Sequence, residues 1–223
     1  MTDRTDSIEK EEYFPGEFFE SILKKDLKNF RGDFCVKDPE KKALPGELIL
    51  MCGYAGLSGA CALVKEKKEI LLKRFSKSYL DRDAALKILE KMPKASDILQ
   101  EKGAYVLSAR EGGIFGCLFD LSKKNHLGFT VDMKKIPVIQ QTIEICNCLG
   151  GNPYKLYSYG SYIASVPAEE APEYESLLKA EEIPFAFIGV TRKGVKKILM
   201  RGEEVRYLER PSRKFVLKME SVI

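Results

Sequence analysis

PGELILMCGYAGLSGACALV, residues Pro45 to Val64, carries three instructions in succession. Pro45-Gly46 marks a turn. Leu48 to Cys52 is apolar on both alternating faces and short, which reads as a buried strand. Gly53 to Ala62 consists mostly of small residues, so the chain can approach a neighbouring backbone closely before continuing as a helix through Lys65 to Phe75.

Upstream, Phe14, Phe18, Phe19, Ile22, Leu23 and Leu27 follow helical spacing, with Pro15 tolerated in the first turn. An amphipathic helix is expected from Phe14 to Phe30. The polar stretch Lys37 to Lys42 then divides the chain into an N-terminal helix and connector, residues 1–43, and a main domain, residues 44–223. Downstream, a helix is expected from Asp81 to Met92, closed by Pro93, then a short helix from Ser96 to Gln100 and a strand from Ala104 to Leu107. Gly112-Gly113 opens a helix with Ile114, Phe115, Leu118 and Leu121 on its inner side. Strands at Phe129 to Val131, Tyr162 to Val166 and Phe185 to Val190 alternate with helices at Val138 to Cys148 and Glu173 to Ala180. Lys197 to Met200 and Glu204 to Leu208 form a hairpin around Arg201-Gly202. This order predicts an α/β (α+β) domain, a mixed β-sheet with packed helices.

The composition suits a globular protein, with 44% of the 223 residues hydrophobic and 31% charged. The formal net charge of +4 is scattered over Lys65, Lys67, Lys68, Lys134, Lys135, Lys193, Lys196 and Lys197, which gives no reason to expect nucleic acid. MTDRTDSIEKEE lacks a signal-peptide apolar core, and no apolar run approaches the roughly 20 residues of a membrane span, so a cytoplasmic location is expected. The six cysteines include no C-x-x-C pair and read as free thiols packed as small hydrophobes. His126, the single histidine, cannot build a multi-histidine metal site or a histidine-dependent triad.

Four ordered segments carry a resemblance: Pro45 to Val64, Glu111 to Cys146, Asn152 to Pro167 and Ile183 to Thr191. Together they resemble the C-terminal domain of the superfamily of aminoimidazole ribonucleotide (AIR) synthetase and hydrogenase maturation factor (HypE-like). FPGEFFESILKKDLKNFRGDFCV, Phe14 to Val36, is similar to the helix and first strand that precede the ATP-binding domain in complete members. Only Lys37 to Leu44 lies between the two matches, so the resemblance implies that the ATP-binding domain and its magnesium-holding aspartates are absent.

Gly112-Gly113, between a strand and a helix, lets a ligand approach the backbone, and a helix start offers N–H groups to anions. The family's motif there resembles D-x-T-x-G-G. This chain has Ser108-Ala109-Arg110-Glu111-Gly112-Gly113, with serine for the aspartate and arginine for the threonine. Arg110 suits a phosphate, but a carboxylate is lost. Ser158-Tyr159-Gly160-Ser161 matches a family turn near the same cleft. The candidate anion site is therefore Ser108, Arg110, Glu111, Gly112, Gly113, Ser158, Gly160 and Ser161, with ordinary turns as the competing reading. Tyr154, Tyr157, Tyr159 and Tyr162 read as a surface covering the core or an aromatic cluster for stacking. The acid pairs Glu169-Glu170, Glu181-Glu182 and Glu203-Glu204 read as solvated.

The expectation is a non-catalytic domain binding a phosphorylated small molecule or a protein partner, without a catalytic residue, metal or cofactor of its own. The surface bared by the missing domain would be covered in part by the N-terminal helix through Phe18, Phe19 and Ile22, by homodimerisation, or by association with a complete family member. The alternative is a component of an ATP-dependent synthetase or maturation enzyme, with ATP and magnesium held only together with a partner chain.

Overall fold

Alternating apolar strands and one-sided helices assemble into a sheet covered on both faces. The structure, a computed structural model, describes residues 10–27, 34, 36–37, 39, 41–212 and 215–219. Lys28 to Phe30 of the expected first helix, Cys35 and parts of the connector lie outside the described residues. The strands are β1 (Lys10–Phe14), β2 (Leu48–Cys52), β3 (Tyr105–Ala109), β4 (Gly128–Asp132), β5 (Ser161–Val166), β6 (Phe185–Arg192), β7 (Lys197–Arg201), β8 (Glu204–Tyr207) and β9 (Phe215–Met219). The α-helices are α1 (Gly16–Asp26), α2 (Leu57–Glu66), α3 (Lys68–Leu72), α4 (Asp83–Glu101), α5 (Gly113–Asn125), α6 (Gln140–Cys148) and α7 (Ala171–Ala180).

Seven strands form the mixed sheet that the sequence predicts, and the structure sets their order as β3-β5-β2-β6-β4-β7-β8. Only the β4–β7 pair is parallel. β2 lies between β5 and β6, and Ile49 to Cys52 are fully buried. Leu50 and Cys52 face a core built with α1, α2, α4 and α6, whereas Ile49 and Met51 face the core under α5. Ile114, Phe115, Leu118 and Leu121 all point into that second core.

The small residues of Gly53 to Ala62 do not precede the helix; most lie inside it. α2 starts at Leu57, and a Cβ on Gly59 would sit 2.7 Å from the Tyr157 carbonyl oxygen. The expected helix from Lys65 to Phe75 is divided between the end of α2 and α3.

Pro93 does not end a helix. α4 runs unbroken through it and absorbs the expected Ser96 to Gln100 helix. Ala85, Leu89, Met92, Ser96 and Leu99 are buried along α4, and this continuous packing outweighs the hydrogen bond that the proline removes.

A second, two-stranded sheet joins β1 to β9, with Phe14 opposite Phe215. Phe14, Phe215 and Leu217 are buried with Phe19, Ile22 and Leu23 of α1, so this ribbon and helix share the core of the α2 face. The acid pairs are exposed as expected, and so is His126, which closes α5 in a left-handed conformation. No helix among the described residues is long and apolar enough to cross a membrane.

Candidate functional site

Antiparallel pairing of β3 with β5 sets Ala109 opposite Ser161 and Ser108 opposite Tyr162. The end of one family-like motif therefore meets the start of the other. Gly53, at φ +87°, approaches from β2, and a Cβ there would lie 2.8 Å from the Ser161 hydroxyl. Ser108, Arg110, Glu111, Gly112, Gly113, Ser158, Gly160 and Ser161 thus gather at one end of the sheet.

The hydroxyls are engaged within the chain. Ser108 Oγ donates to the Phe34 carbonyl at 2.8 Å, and Ser161 Oγ donates to the Tyr54 carbonyl at 3.0 Å. Ser158, fully buried, donates to the Leu156 carbonyl and accepts the Gly56 N–H, both at 2.8 Å. It staples the left-handed turn at Gly56 to the 156–158 loop.

Gly112 and Gly113 both have positive φ, a conformation that a side chain would strain. The helix start that follows is partly closed by the chain itself. Phe115 N–H donates to the Tyr154 carbonyl at 3.1 Å, and Gly113 N–H turns back to Arg110. A Cβ on Gly113 would sit 2.5 Å from both the Leu156 and Tyr154 carbonyl oxygens. Gly160, at φ +83°, packs against Phe34 and Leu89.

The tyrosines form an interior layer. Tyr157, Tyr159 and Tyr162 are buried and only Tyr154 is half-buried, which corrects the reading of a covering surface. Phe19 of α1 stacks on Tyr157 at 5.1 Å, nearly parallel, and Tyr157 donates its hydroxyl to Glu20 at 2.8 Å. Burial, and then the Glu20 carboxylate, push the Tyr157 phenol above its ordinary pKa. The Arg110 guanidinium lies 5.4 Å from the Tyr159 ring centroid. A Cβ on Gly16 would overlap the Glu111 carboxylate, which places that acid against the start of α1.

These donors do not suit magnesium-bound ATP on this chain alone. The three serine hydroxyls are spent on main-chain carbonyls, and no group of three His, Cys, Asp or Glu residues able to hold a metal occurs among the described residues. Sequence reasoning placed Phe19 on the buried face of the N-terminal helix but did not pair it with Tyr157, and it missed Glu20. It also missed a cleft of about 220 Å³ beside Phe115 and Tyr154, bordered by Arg201, Glu204 and Arg206. The spacing of the tyrosines was visible; their partner in α1 was not.

Carbamoyl dehydratase HypE of Rhizobium leguminosarum bv. viciae is 28% identical over 132 residues, covering 58% of this chain and 35% of that protein. A crystal structure of hydrogenase maturation protein HypE matches with a TM-score of 0.63 at 21% identity, over 78% of this chain and 56% of that one. The crystal structure of a HypE–HypF complex matches with a TM-score of 0.59 at 17% identity, over 77% and 55% respectively. The chain spans between 35% and 38% of the length of the curated relatives it matches. Residues 45–201, more than half of the sequence, match the model of the AIR synthase related protein C-terminal domain, and the chain belongs to that family.

Proposed function

We propose that this chain is a non-catalytic, partner-binding domain of the AIR synthase related family, working in the cytoplasm. One observation carries the reading: every serine hydroxyl of the candidate constellation donates to a carbonyl of the chain itself. A site that turns over a nucleotide needs donors and charges aimed at the phosphates. Here the Tyr154 carbonyl takes the Phe115 N–H, and Phe19 and Glu20 of α1 lie on Tyr157. A relative, HypE, has been solved in complex with HypF, which supports a protein as the kind of partner. Buried cysteines at Cys52, Cys61 and Cys146, held as thiols, suit a reducing compartment.

The second reading keeps an anion site at Arg110 and Gly112-Gly113, with ATP and magnesium supplied on a partner chain. The convergence of the 110–113 and 158–161 turns favours it. A thermal-shift titration with magnesium-ATP, ADP, inorganic phosphate and phosphoribosyl compounds separates the two. A ligand at 100 times its dissociation constant adds about 2.7 kcal/mol, or several degrees at roughly 2–4 °C per kcal/mol. The partner-binding reading expects no shift. A shift lost in both Arg110→Ala and Gly112→Val would replace it with the second.

A further inference from the structure

β8 is the last strand of the seven-stranded sheet, and among the described residues no strand pairs with its outer edge. Its hydrogen-bond phase follows from its inner partner. Leu208 N–H donates to the Lys197 carbonyl at 2.8 Å, and β7–β8 pairs Leu199 with Arg206 and Arg201 with Glu204. Hydrogen-bonded pairs alternate along an antiparallel ladder, so Glu204 and Arg206 turn their backbone groups inward to β7. Val205 and Tyr207 turn theirs outward.

The side chains add a second pattern. Glu204 and Arg206 share one face and already form an ion pair at 2.6 Å. Val205 and Tyr207 lie on the other face, 51% and 62% exposed, opposite Met200 and Ile198. The core under α1, α2, α4 and α6 includes no residue of β4, β7 or β8, so this corner of the sheet continues as an apolar stripe beyond the helices.

From this geometry we infer that the partner is a second copy of the chain, joined through antiparallel β8–β8 pairing about a two-fold axis at Val205. The inference rests on the partner-binding reading above. Backbone phase permits a two-fold axis only at a residue, because an axis between residues would oppose an outward group to an inward one. An axis at Arg206 sets two arginines opposite each other, and one at Glu204 sets two glutamates. An axis at Tyr207 runs off the end of the strand. At Val205 each Glu204 faces the second copy's Arg206, while Val205 meets its own counterpart. Opposite charges placed directly across a strand pair stabilise it and like charges oppose it. The contact is isologous and closed, joining two seven-stranded sheets and covering an edge that otherwise invites open-ended pairing.

The test is sedimentation equilibrium of the full chain over about 1 to 300 µM, because a contact of this extent is smaller than a permanent interface. Wild-type protein should approach twice its 25.2 kDa mass as concentration rises. Glu204→Arg and Arg206→Glu each convert both opposed pairs to like charges and should weaken association about tenfold or more. Both positions are exposed, and circular dichroism should show both variants folded. The double variant should dimerise, and an equimolar mixture of the two single variants should form the heterodimer. A wild-type chain that stays monomeric throughout overturns the inference. So do single variants that dimerise like wild type, and a mixture that fails to associate. The nucleotide and phosphate titrations have a separate readout, so a ligand-induced shift would revise the functional reading without altering the oligomer result.

Discussion

Replacing Gly113 with alanine probes how tightly the 152–157 loop seals the start of α5. Gly113 has φ +60°, and the left-handed conformation costs an L-residue about 1–2 kcal/mol. The new Cβ would also lie 2.5 Å from the carbonyl oxygens of Tyr154 and Leu156, which are main-chain atoms. The loop must retreat, weakening the Phe115-to-Tyr154 hydrogen bond, worth about 1 kcal/mol. Gly194 provides the control, with φ +89° and nothing within 4 Å of an added Cβ. Gly194→Ala should therefore cost about 1–2 kcal/mol, and Gly113→Ala about 2–4 kcal/mol. Thermal melts should separate the two variants by roughly 2–8 °C, at about 2–4 °C per kcal/mol for this chain length. Hydrogen exchange at Phe115 should accelerate in Gly113→Ala and remain unchanged in Gly194→Ala. Equal melting temperatures for the two variants would refute the claim that the loop presses on the double-glycine turn.

Phe19, 1% exposed and stacked on Tyr157, should cost about 3–5 kcal/mol when truncated to alanine, measured by urea denaturation. A loss below about 1 kcal/mol would show that α1 is not docked on the tyrosine layer. At Asp26, burial raises the carboxyl pKa, but hydrogen bonds and charge from Lys65 and Arg82 outweigh it and leave the pKa lowered. Its stabilisation is therefore present above the ordinary value of about 3.9 and lost as pH falls through the lower folded value. Urea midpoints of Asp26→Asn should start lower at neutral pH and fall less steeply below about pH 4 than those of wild type; parallel curves would exclude this ion-pair group as an acid-labile element. Burial pushes the thiols of Cys61 and Cys146 up to about 12, whereas Cys148 is half-buried. Alkylation of native protein followed by peptide mass mapping should modify Cys148 well before Cys52, Cys61, Cys117 and Cys146; early labelling of Cys61 would contradict the packing of α2.

The strand at Leu48 to Cys52 and the inner face of α5 were legible because apolar spacing states burial directly. Pro93 misled for the opposite reason: a local rule was overruled by side chains buried on both sides of it. β1 was hidden because Glu11, Glu12, Tyr13 and Phe14 carry no turn-bounded alternation, and their partner lies at the far end of the sequence. In the candidate site, family resemblance set the two turns near one cleft, and the β3–β5 register places Ala109 opposite Ser161. What it left out was the destination of each hydroxyl. Ser108, Ser158 and Ser161 donate to carbonyls of Phe34, Leu156 and Tyr54, and main-chain acceptors leave no mark in residue identity.

The pairing of Lys10–Phe14 with Phe215–Met219 closes all the chain between them into one ring of structure. Closing so long a loop is entropically costly and kinetically slow, so this ribbon should form after the sheet that separates its two strands. During translation, α1 lacks the Phe215 and Leu217 side of its packing until the ribosome has passed them. The tyrosine layer then waits for its lid, and the glycine turns fold beneath an unfinished roof. Pulse-labelled hydrogen exchange on refolding protein should show α1 protected last, together with β9 and behind α5.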